Sequence, residues 1–214
     1  MAVVNRISEQ EYRELALTDT DHLWELWDAV PREKPLMSMK HDGVSFFLGY
    51  LLQSQLDRQE YWVNVNGGKT RLSPRNYSIP DVVVIPTAYI RPFEDDPRSL
   101  NAFAQPLPLV VEVWSRTTGA YDFATKLQGY RERGDMEIWF IHPYERTLTA
   151  WRKRRDGTYA EELYRGGRIQ VVALPGVAID LDALLDGLTA RWQDGQTARR
   201  RDGQDEDTLI AESR

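Results

Sequence analysis

The stretch that decides the fold lies between residues 79 and 142. It contains three apolar runs: Ile79-Pro80-Asp81-Val82-Val83-Val84-Ile85, Leu109-Val110-Val111-Glu112-Val113 and Ile138-Trp139-Phe140-Ile141. The first two runs are short, rich in β-branched residues and bounded by Pro or Ser, which is typical of buried strands. Each of them carries one carboxylate, Asp81 at the start of the first run and Glu112 between the valines of the second.

These two carboxylates predict a cation site. A buried carboxylate is costly unless it is paired or binds a metal. Because we expect the two strands to lie side by side, Asp81 and Glu112 can supply oxygen ligands to Mg²⁺ or Mn²⁺, and the backbone carbonyl of Val113 is a third candidate. The carboxylate oxygens should then lie within about 5 Å of each other, and repulsion should raise the pKa of at least one group. The simpler alternatives are a turn cap for Asp81 and an ion pair for Glu112.

A helix predicted over residues 119–134 supplies a candidate catalytic amine. Its apolar face contains Phe123, Leu127 and Tyr130, and Lys126 flanks that face. The stem of Lys126 can therefore lie on the sheet while its amine reaches beyond the strand edge. Asp122, one turn earlier, can hold the lysine in place. The alternative is an ordinary surface pair between Asp122 and Lys126.

The composition indicates one globular domain. The chain has 214 residues, 42% of them apolar, with seven Trp, and we expect a domain over residues 1–190 followed by a charged, disordered tail over 191–214. No cysteine is present, which excludes disulfides, thiolate zinc sites and cysteine nucleophiles. The lack of a long apolar run or signal-peptide pattern predicts no membrane span and a cytoplasmic location. The net charge of −6 means that nucleic-acid binding would need a local basic patch.

The remaining chain predicts alternating helices and strands. Helices are expected at Glu11–Leu17, after a Ser8 capping box, at His41–Leu56 and at Asp180–Leu185. Strands are expected at Leu23–Val30, Tyr61–Val65, Met136–His142, Leu148–Arg154, Tyr159–Tyr164 and Arg168–Leu174. Residues 31–35 are interpreted as a turn, residues 66–68 as a hairpin turn, and residues 87–105 as a loop that can hold a short helix. This order favours an α/β fold with a mixed β-sheet flanked by helices and an additional β-hairpin around Asp156-Gly157.

Several motifs together resemble a known family. They are Trp24-Glu25-Leu26, His41, Ile79-Pro80-Asp81, Leu109 to Val113 followed by Ser115 to Thr118, Asp122 with Lys126, and Gly134, Glu137, Trp139, Phe140, Ile141 and Pro143. In order and spacing they resemble the Uma-type branch of the PD-(D/E)XK nuclease superfamily over roughly residues 11–185. Trp114 stands where the superfamily motif has lysine. The Uma-type branch also has an apolar residue there, and its lysine corresponds to Lys126.

The resemblance implies a restriction-endonuclease-like fold and a magnesium-dependent endodeoxyribonuclease that acts on DNA. It implies that Asp81 and Glu112 are metal ligands and that Lys126 is catalytic. Glu25 would be an extra ligand or a supporting group, although it could also face solvent, and Asp122 and Tyr130 would support the site. His41 is interpreted as a polar residue of a helix start. The alternative function is a catalytically inactive module that binds nucleic acid or protein.

Aromatic residues near sheet edges and a basic run bear on assembly and surface contacts. Tyr61, Trp62 and Trp151 lie near predicted turns and sheet edges. Exposed strand edges and aromatic residues are usually covered, and nucleases of the superfamily commonly pair, so we expect a two-fold homodimer. The basic run over residues 152–155 is interpreted as a solvated hairpin tip, with phosphate contact as the second interpretation.

Overall fold

The computed structural model describes residues 5–35, 37–115 and 120–187, with side chains in the last range from residue 123 onward. The first half contains α1 (Glu9–Thr18), β1 (Trp24–Trp27), β2 (Val30–Glu33), α2 (Met39–Gln55), β3 (Tyr61–Val65), β4 (Lys69–Ser73), β5 (Asn76–Ser78), β6 (Val82–Pro86) and α3 (Thr87–Ile90). A 3₁₀ turn (Arg91–Phe93) precedes β7 (Ala102–Phe103), β8 (Leu109–Val113), α4 (Ala120–Arg133), β9 (Glu137–His142), β10 (Thr147–Lys153), β11 (Tyr159–Tyr164), β12 (Arg168–Gln170), β13 (Ala178–Asp180) and α5 (Leu181–Asp186).

The central element is a six-stranded mixed sheet with strand order β11-β10-β9-β8-β6-β3. β8 and β9 are parallel, and the other neighbours are antiparallel. The predicted side-by-side placement of β6 and β8 is confirmed, with Val82 opposite Val111. Asp81 comes just before Val82 and Glu112 just after Val111, so both carboxylates lie at the same end of this strand pair. The predicted mixed α/β architecture is also confirmed.

Helices cover both faces of this sheet. On one face, α2 and α5 pack with β12 and β13 on the larger hydrophobic core, and α2 contributes Val44, Leu48 and Leu52 at helical spacing. On the other face, α4 contributes Tyr130, with Leu127 and Phe123 packed beside it. Val111 and Val113 belong to the first core and Val110 to the second. Side chains alternate along a strand, so Glu112 projects toward the face that α4 covers.

A second sheet, with strand order β2-β1-β5-β4-β7, brings Glu25 toward the same region. Only its β4–β7 pair is parallel. α1 packs on this sheet through the fully buried Tyr12. The helix starts with the predicted capping box, in which Ser8 and Glu11 exchange hydrogen bonds. This prediction of the helix start is confirmed.

Three local predictions are wrong. Residues 31–35 do not form only a turn, because Val30–Glu33 is an edge strand, where Pro31 is tolerated since one side of the strand needs no partner. β3 does not enter a hairpin with the next strand; it pairs with β6, and the chain then crosses to the second sheet, where β4 and β5 form an unpredicted hairpin. The strand predicted over Arg168–Leu174 ends at Gln170.

The β10–β11 hairpin is confirmed, with Gly157 at φ 85° in its turn. Gly134, at φ 88°, follows the last residue of α4, as predicted for a helix C-terminal cap. Trp151 is only 6% exposed, so it does not provide the exposed aromatic edge that was expected, whereas Trp62 is 52% exposed. The homodimer stays a prediction.

Two predicted segments extend beyond the described ranges of the chain. Residues 116–118 of the expected Ser/Thr loop and the predicted tail over 191–214 lie outside the described residues, and the boundary at residue 190 stays a prediction. Among the described helices, none combines the length and the apolar character that crossing a membrane requires.

Candidate active site

Six charged or titratable side chains meet in the interior at the ends of β6 and β8. Each of them is at most 8% exposed. We call this group the charge cluster, and its members are Glu25, Lys34, His41, Asp81, Glu112 and Lys126. Charged side chains are almost never this buried unless they are paired, so the contacts within the cluster decide its chemistry.

Asp81 is held by two cationic side chains and one backbone amide. Its Oδ1 accepts a hydrogen bond from Lys34 Nζ at 2.8 Å, and its Oδ2 accepts one from the Val113 N–H at 2.7 Å. His41 Nε2 lies 3.0 Å from Oδ2, so a protonated imidazole forms an ion pair with this carboxylate. Burial by itself would raise the pKa of Asp81, but Lys34 and His41 together hold that pKa well below its usual range.

His41 and Lys34 are in turn fixed by their surroundings. Burial lowers the pKa of His41, but the neighbouring Asp81 carboxylate outweighs it, and the net pKa is raised. Lys34 Nζ also donates to the Ile79 carbonyl at 2.8 Å and to Asn66 Oδ1 at 3.0 Å. The ammonium of Lys34 is therefore an ordered part of the site.

Glu112 has a different environment. Its Oε2 lies 3.2 Å from Lys126 Nζ, and its Oε1 accepts a hydrogen bond from the Tyr130 hydroxyl at 2.5 Å. Burial raises the pKa of Glu112 to about 7; Lys126 counteracts this increase only in part, and the Asp81 charge adds to it. The predicted rise in a carboxylate pKa is confirmed, although burial rather than repulsion is its main cause.

Lys126 connects β8 with β1. Its Nζ lies 3.3 Å from Glu25 Oε1, and the same oxygen accepts a hydrogen bond from the Ile79 N–H at 2.7 Å. Glu25 Oε2 accepts from Trp27 Nε1 at 3.0 Å. The alternatives in which Glu25 faces solvent and Lys126 forms a surface pair are therefore wrong. Lys126 is a buried cation between two carboxylates, and its aliphatic stem crosses from α4 to the sheets.

Tyr130 anchors the Glu112 side of the cluster. Its hydroxyl also lies 3.0 Å from Ser78 Oγ, which is 2.7 Å from Thr70 Oγ1. Burial, followed by the Glu112 charge, raises the pKa of Tyr130 well above its usual value, so the phenol keeps its proton and remains a donor to Glu112. The chain of hydroxyls ties Glu112 to the second sheet.

Two members of the charge cluster, Lys34 and His41, are not predicted from the sequence as contacts of Asp81. Lys34 follows β2 in a segment interpreted as a turn, and no periodic pattern marks it. His41 lies in the first turn of α2, as the sequence predicts, but its side chain is fully buried and contacts Asp81. Asp122 lies in α4, but its side chain is outside the described part of the chain, and its expected contact with Lys126 stays a prediction.

The donor chemistry of the site fits a hard cation. Within the described residues, no group of three or more His, Cys, Asp or Glu side chains is arranged to hold a metal ion. Magnesium, however, usually takes one or two carboxylates and keeps several waters. The Val113 N–H points at Asp81, and in a strand the carbonyl of the same residue faces the same side. Glu112 supplies a second carboxylate, whose pKa is raised mainly by burial. Asp81, Glu112 and the Val113 carbonyl are therefore suitable ligands; their 5 Å separation stays a prediction.

Comparisons with known proteins identify the family and the fold of the chain. Residues 9–182 match the model of the Uma2 family, which is described as "Putative restriction endonuclease". The chain belongs to the Uma2 family. The resemblance derived from the sequence motifs is thereby confirmed at the level of the family. The matched range of this Uma2 protein includes every member of the charge cluster, and the family supports a nuclease as the class of function.

A solved structure shares the fold of this Uma2 protein. It is the crystal structure of a "putative nuclease belonging to DUF820" from Anabaena variabilis, with a TM-score of 0.67 and 17% sequence identity. The match covers 84% of this chain and 98% of that chain. At this identity, the likeness demonstrates a common fold. No curated protein matches the chain.

Proposed function

We propose that this Uma2 protein is a metal-dependent DNA endonuclease of the PD-(D/E)XK type that hydrolyses phosphodiester bonds. The observation that carries the proposal is the contact of 3.2 Å between Lys126 Nζ and Glu112 Oε2, at the end of the strand pair that also presents Asp81. The buried cluster therefore contains two carboxylates and a lysine, the side chains that this chemistry needs.

Each residue has a distinct role in the proposal. Asp81 and Glu112, with the Val113 carbonyl, would hold Mg²⁺ or Mn²⁺, and the bound metal would supply Lewis-acid chemistry toward the phosphodiester and a bound water. The ammonium of Lys126 stabilises the charge that develops on the phosphoryl group. Glu25 positions Lys126 through its carboxylate.

The position of the lysine explains why Trp114 is compatible with this chemistry. Trp114 occupies the sequence position of the superfamily lysine, and its backbone N–H donates to the Ile141 carbonyl at 2.8 Å. Lys126 reaches Glu112 from α4 instead. A helix-borne amine and a strand-borne amine can serve the same carboxylate because only the position of the charge matters for stabilising the transition state.

The test is a nicking assay on supercoiled plasmid DNA with Mg²⁺, Mn²⁺ or EDTA, combined with calorimetric metal titration. Wild type should nick the plasmid only with metal. Glu112→Gln should lose metal binding and nicking together, because a ligand charge is removed. Lys126→Ala should still bind metal but nick about a hundredfold or more slowly, the scale for losing one charge stabiliser. The exposed residues Glu132 and Arg168 provide the matched controls Glu132→Gln and Arg168→Ala.

Two results would contradict the proposal. Wild type that neither nicks DNA nor binds metal would rule out the enzyme. If Lys126→Ala nicks as fast as wild type, the proposed catalytic role of Lys126 is wrong.

A second candidate is a non-catalytic interaction module that keeps the fold. The observation in its favour is that both oxygens of Asp81 and both oxygens of Glu112 already contact donors of the protein. A cluster satisfied in this way is stable without a metal. This candidate predicts no heat of Mg²⁺ binding and no nicking, so the same two measurements separate it from the enzyme.

A further inference from the structure

A partly exposed aromatic group contains two residues that are sequence neighbours of His41 and Val113. We call it the aromatic platform, and its members are Trp114, His142, Tyr144 and Lys40. Trp114 is the residue after Val113 at the end of β8, and Lys40 precedes His41 in the first turn of α2. Two separate segments thus lead from the charge cluster to the same neighbouring surface.

The platform is ordered by its own contacts. The rings of Trp114 and His142 are stacked, with centroids 4.4 Å apart and planes at 29°. Tyr144 meets Trp114 edge-on, with centroids 5.7 Å apart and planes at 82°. His142 Nδ1 accepts a hydrogen bond from the Glu145 N–H at 3.0 Å, which fixes the orientation of the imidazole. The rings are therefore held in place before any ligand arrives, which lowers the entropic cost of binding.

The platform offers both an aromatic surface and a positive charge. Tyr144 is 55% exposed, and Lys40 Nζ lies 4.8 Å from the centroid of its ring. Aromatic rings stack on nucleobases, and a nearby cation attracts the phosphate of the same nucleotide. Proteins that bind single-stranded nucleic acid use this combination of an aromatic surface and a positive charge.

The surrounding charge favours stacking over a broad electrostatic contact. Glu145 is exposed, and its Oε1 lies 3.7 Å from His142 Nε2. The net charge of the chain is −6, so a long duplex backbone gains little general attraction here. In a duplex the bases are stacked on each other and cannot reach an exposed tyrosine without unpairing. The ligand that fits is an unpaired nucleotide.

We propose that the aromatic platform binds an unpaired nucleotide of the substrate strand, next to the phosphate that is cut. The base stacks on Tyr144, and Lys40 contacts the phosphate. The identification of the strand as DNA rests on the proposed function. The consequence is a preference for single-stranded or locally unpaired DNA over intact duplex.

The test measures binding without cleavage. Fluorescence anisotropy in EDTA compares a fluorescein-labelled single strand with the same sequence as a duplex. Wild type should bind the single strand more tightly. Tyr144→Ala should weaken binding of the single strand by about 5- to 100-fold, the range for one stacked base. Tyr144→Phe keeps the ring and should bind within about twofold of wild type. Tyr50→Ala is the matched control, because Tyr50 is an exposed tyrosine of α2 outside the platform.

A second measurement locates the base. In a set of single strands that each carry one abasic site, one position should weaken binding to wild type but leave binding to Tyr144→Ala unchanged. If Tyr144→Ala binds every strand as wild type does, or if wild type binds no single strand, the platform proposal is wrong.

Plasmid nicking by the same preparations reports separately on the nuclease. If wild type nicks the plasmid and Tyr144→Ala binds every strand as wild type does, only the platform is rejected. If wild type does not nick the plasmid but Tyr144→Ala binds single strands more weakly, the nuclease is rejected and the binding of an unpaired nucleotide by the platform stands.

Discussion

Asp81 and Glu112 lie at the same end of two adjacent strands, yet their surroundings drive their pKa values in opposite directions. Asp81 has a lowered pKa, whereas the pKa of Glu112 is raised to about 7. Both side chains are almost fully buried, so burial alone does not explain the difference. The number of positive charges within reach of each carboxylate does.

The two carboxylates receive their partners from different elements. Asp81 contacts Lys34 and His41 and also accepts a backbone N–H. Glu112 has one cation, Lys126, which it shares with Glu25, and one neutral donor, Tyr130. Asp81 is therefore a permanent anion near neutral pH, and Glu112 is a group that exchanges its proton in that range. In the proposed enzyme, metal binding would compete with a proton mainly at Glu112.

The largest expected effect on stability comes from removing the lysine that contacts each carboxylate, Lys34 beside Asp81 and Lys126 beside Glu112. Lys34→Met leaves Asp81 buried without its closest counter-charge and should lower the free energy of unfolding by about 3–5 kcal/mol. Lys126→Met should lower it by less at pH 6, because Glu112 can take up a proton and become neutral. Urea denaturation at pH 6 measures both losses.

Lys153→Met is the control for that comparison, since Lys153 is exposed and its loss should change stability by no more than about 0.5 kcal/mol. Equal losses for Lys34→Met and Lys126→Met at pH 6 would contradict the inferred difference between the two carboxylates.

The second prediction concerns the pH dependence of the metal-free protein. Between pH 4.5, the ordinary pKa of Glu112, and its folded value of about 7, the folded state keeps a proton that the unfolded state has released. Stability therefore falls as the pH rises through this window, by on the order of 3 kcal/mol. Asp81 has the opposite sign: its contribution is present above its ordinary pKa of 3.8 and is lost as the pH falls below it.

Urea denaturation in EDTA from pH 4 to 8 tests this prediction. Glu112→Gln should remove most of the decline between pH 4.5 and 7, and Asp81→Asn should leave that decline in place. A decline that survives in Glu112→Gln would assign the titration to another group.

The sequence was sufficient for the elements that carry Asp81, Glu112 and Lys126. β6, β8 and α4 have strong apolar patterns, so the positions of Asp81, Glu112 and Lys126 follow from alternation and helical spacing. Lys34 and His41 could not be placed, because they reach Asp81 across 47 and 40 residues through packing of α2 and β2. The β4–β5 hairpin was missed for a related reason, since its strands are short and polar, and their pairing is set by the second sheet.

The smallest expected effect is the loss of the Tyr130 hydroxyl. Tyr130→Phe removes the hydrogen bond to Glu112 and should lower stability by about 1–2 kcal/mol at pH 8, where Glu112 is ionised, because hydrogen bonds to charged groups are the stronger ones. At pH 6, where Glu112 is mostly protonated, the loss should be smaller. Tyr12→Phe is the control: Tyr12 is equally buried, but its hydroxyl donates to the Trp24 carbonyl, which does not titrate, so its loss should be the same at both pH values. If Tyr130→Phe also loses the same stability at pH 6 and pH 8, then Glu112 does not change its charge in this range, and the contrast between the two carboxylates has another origin.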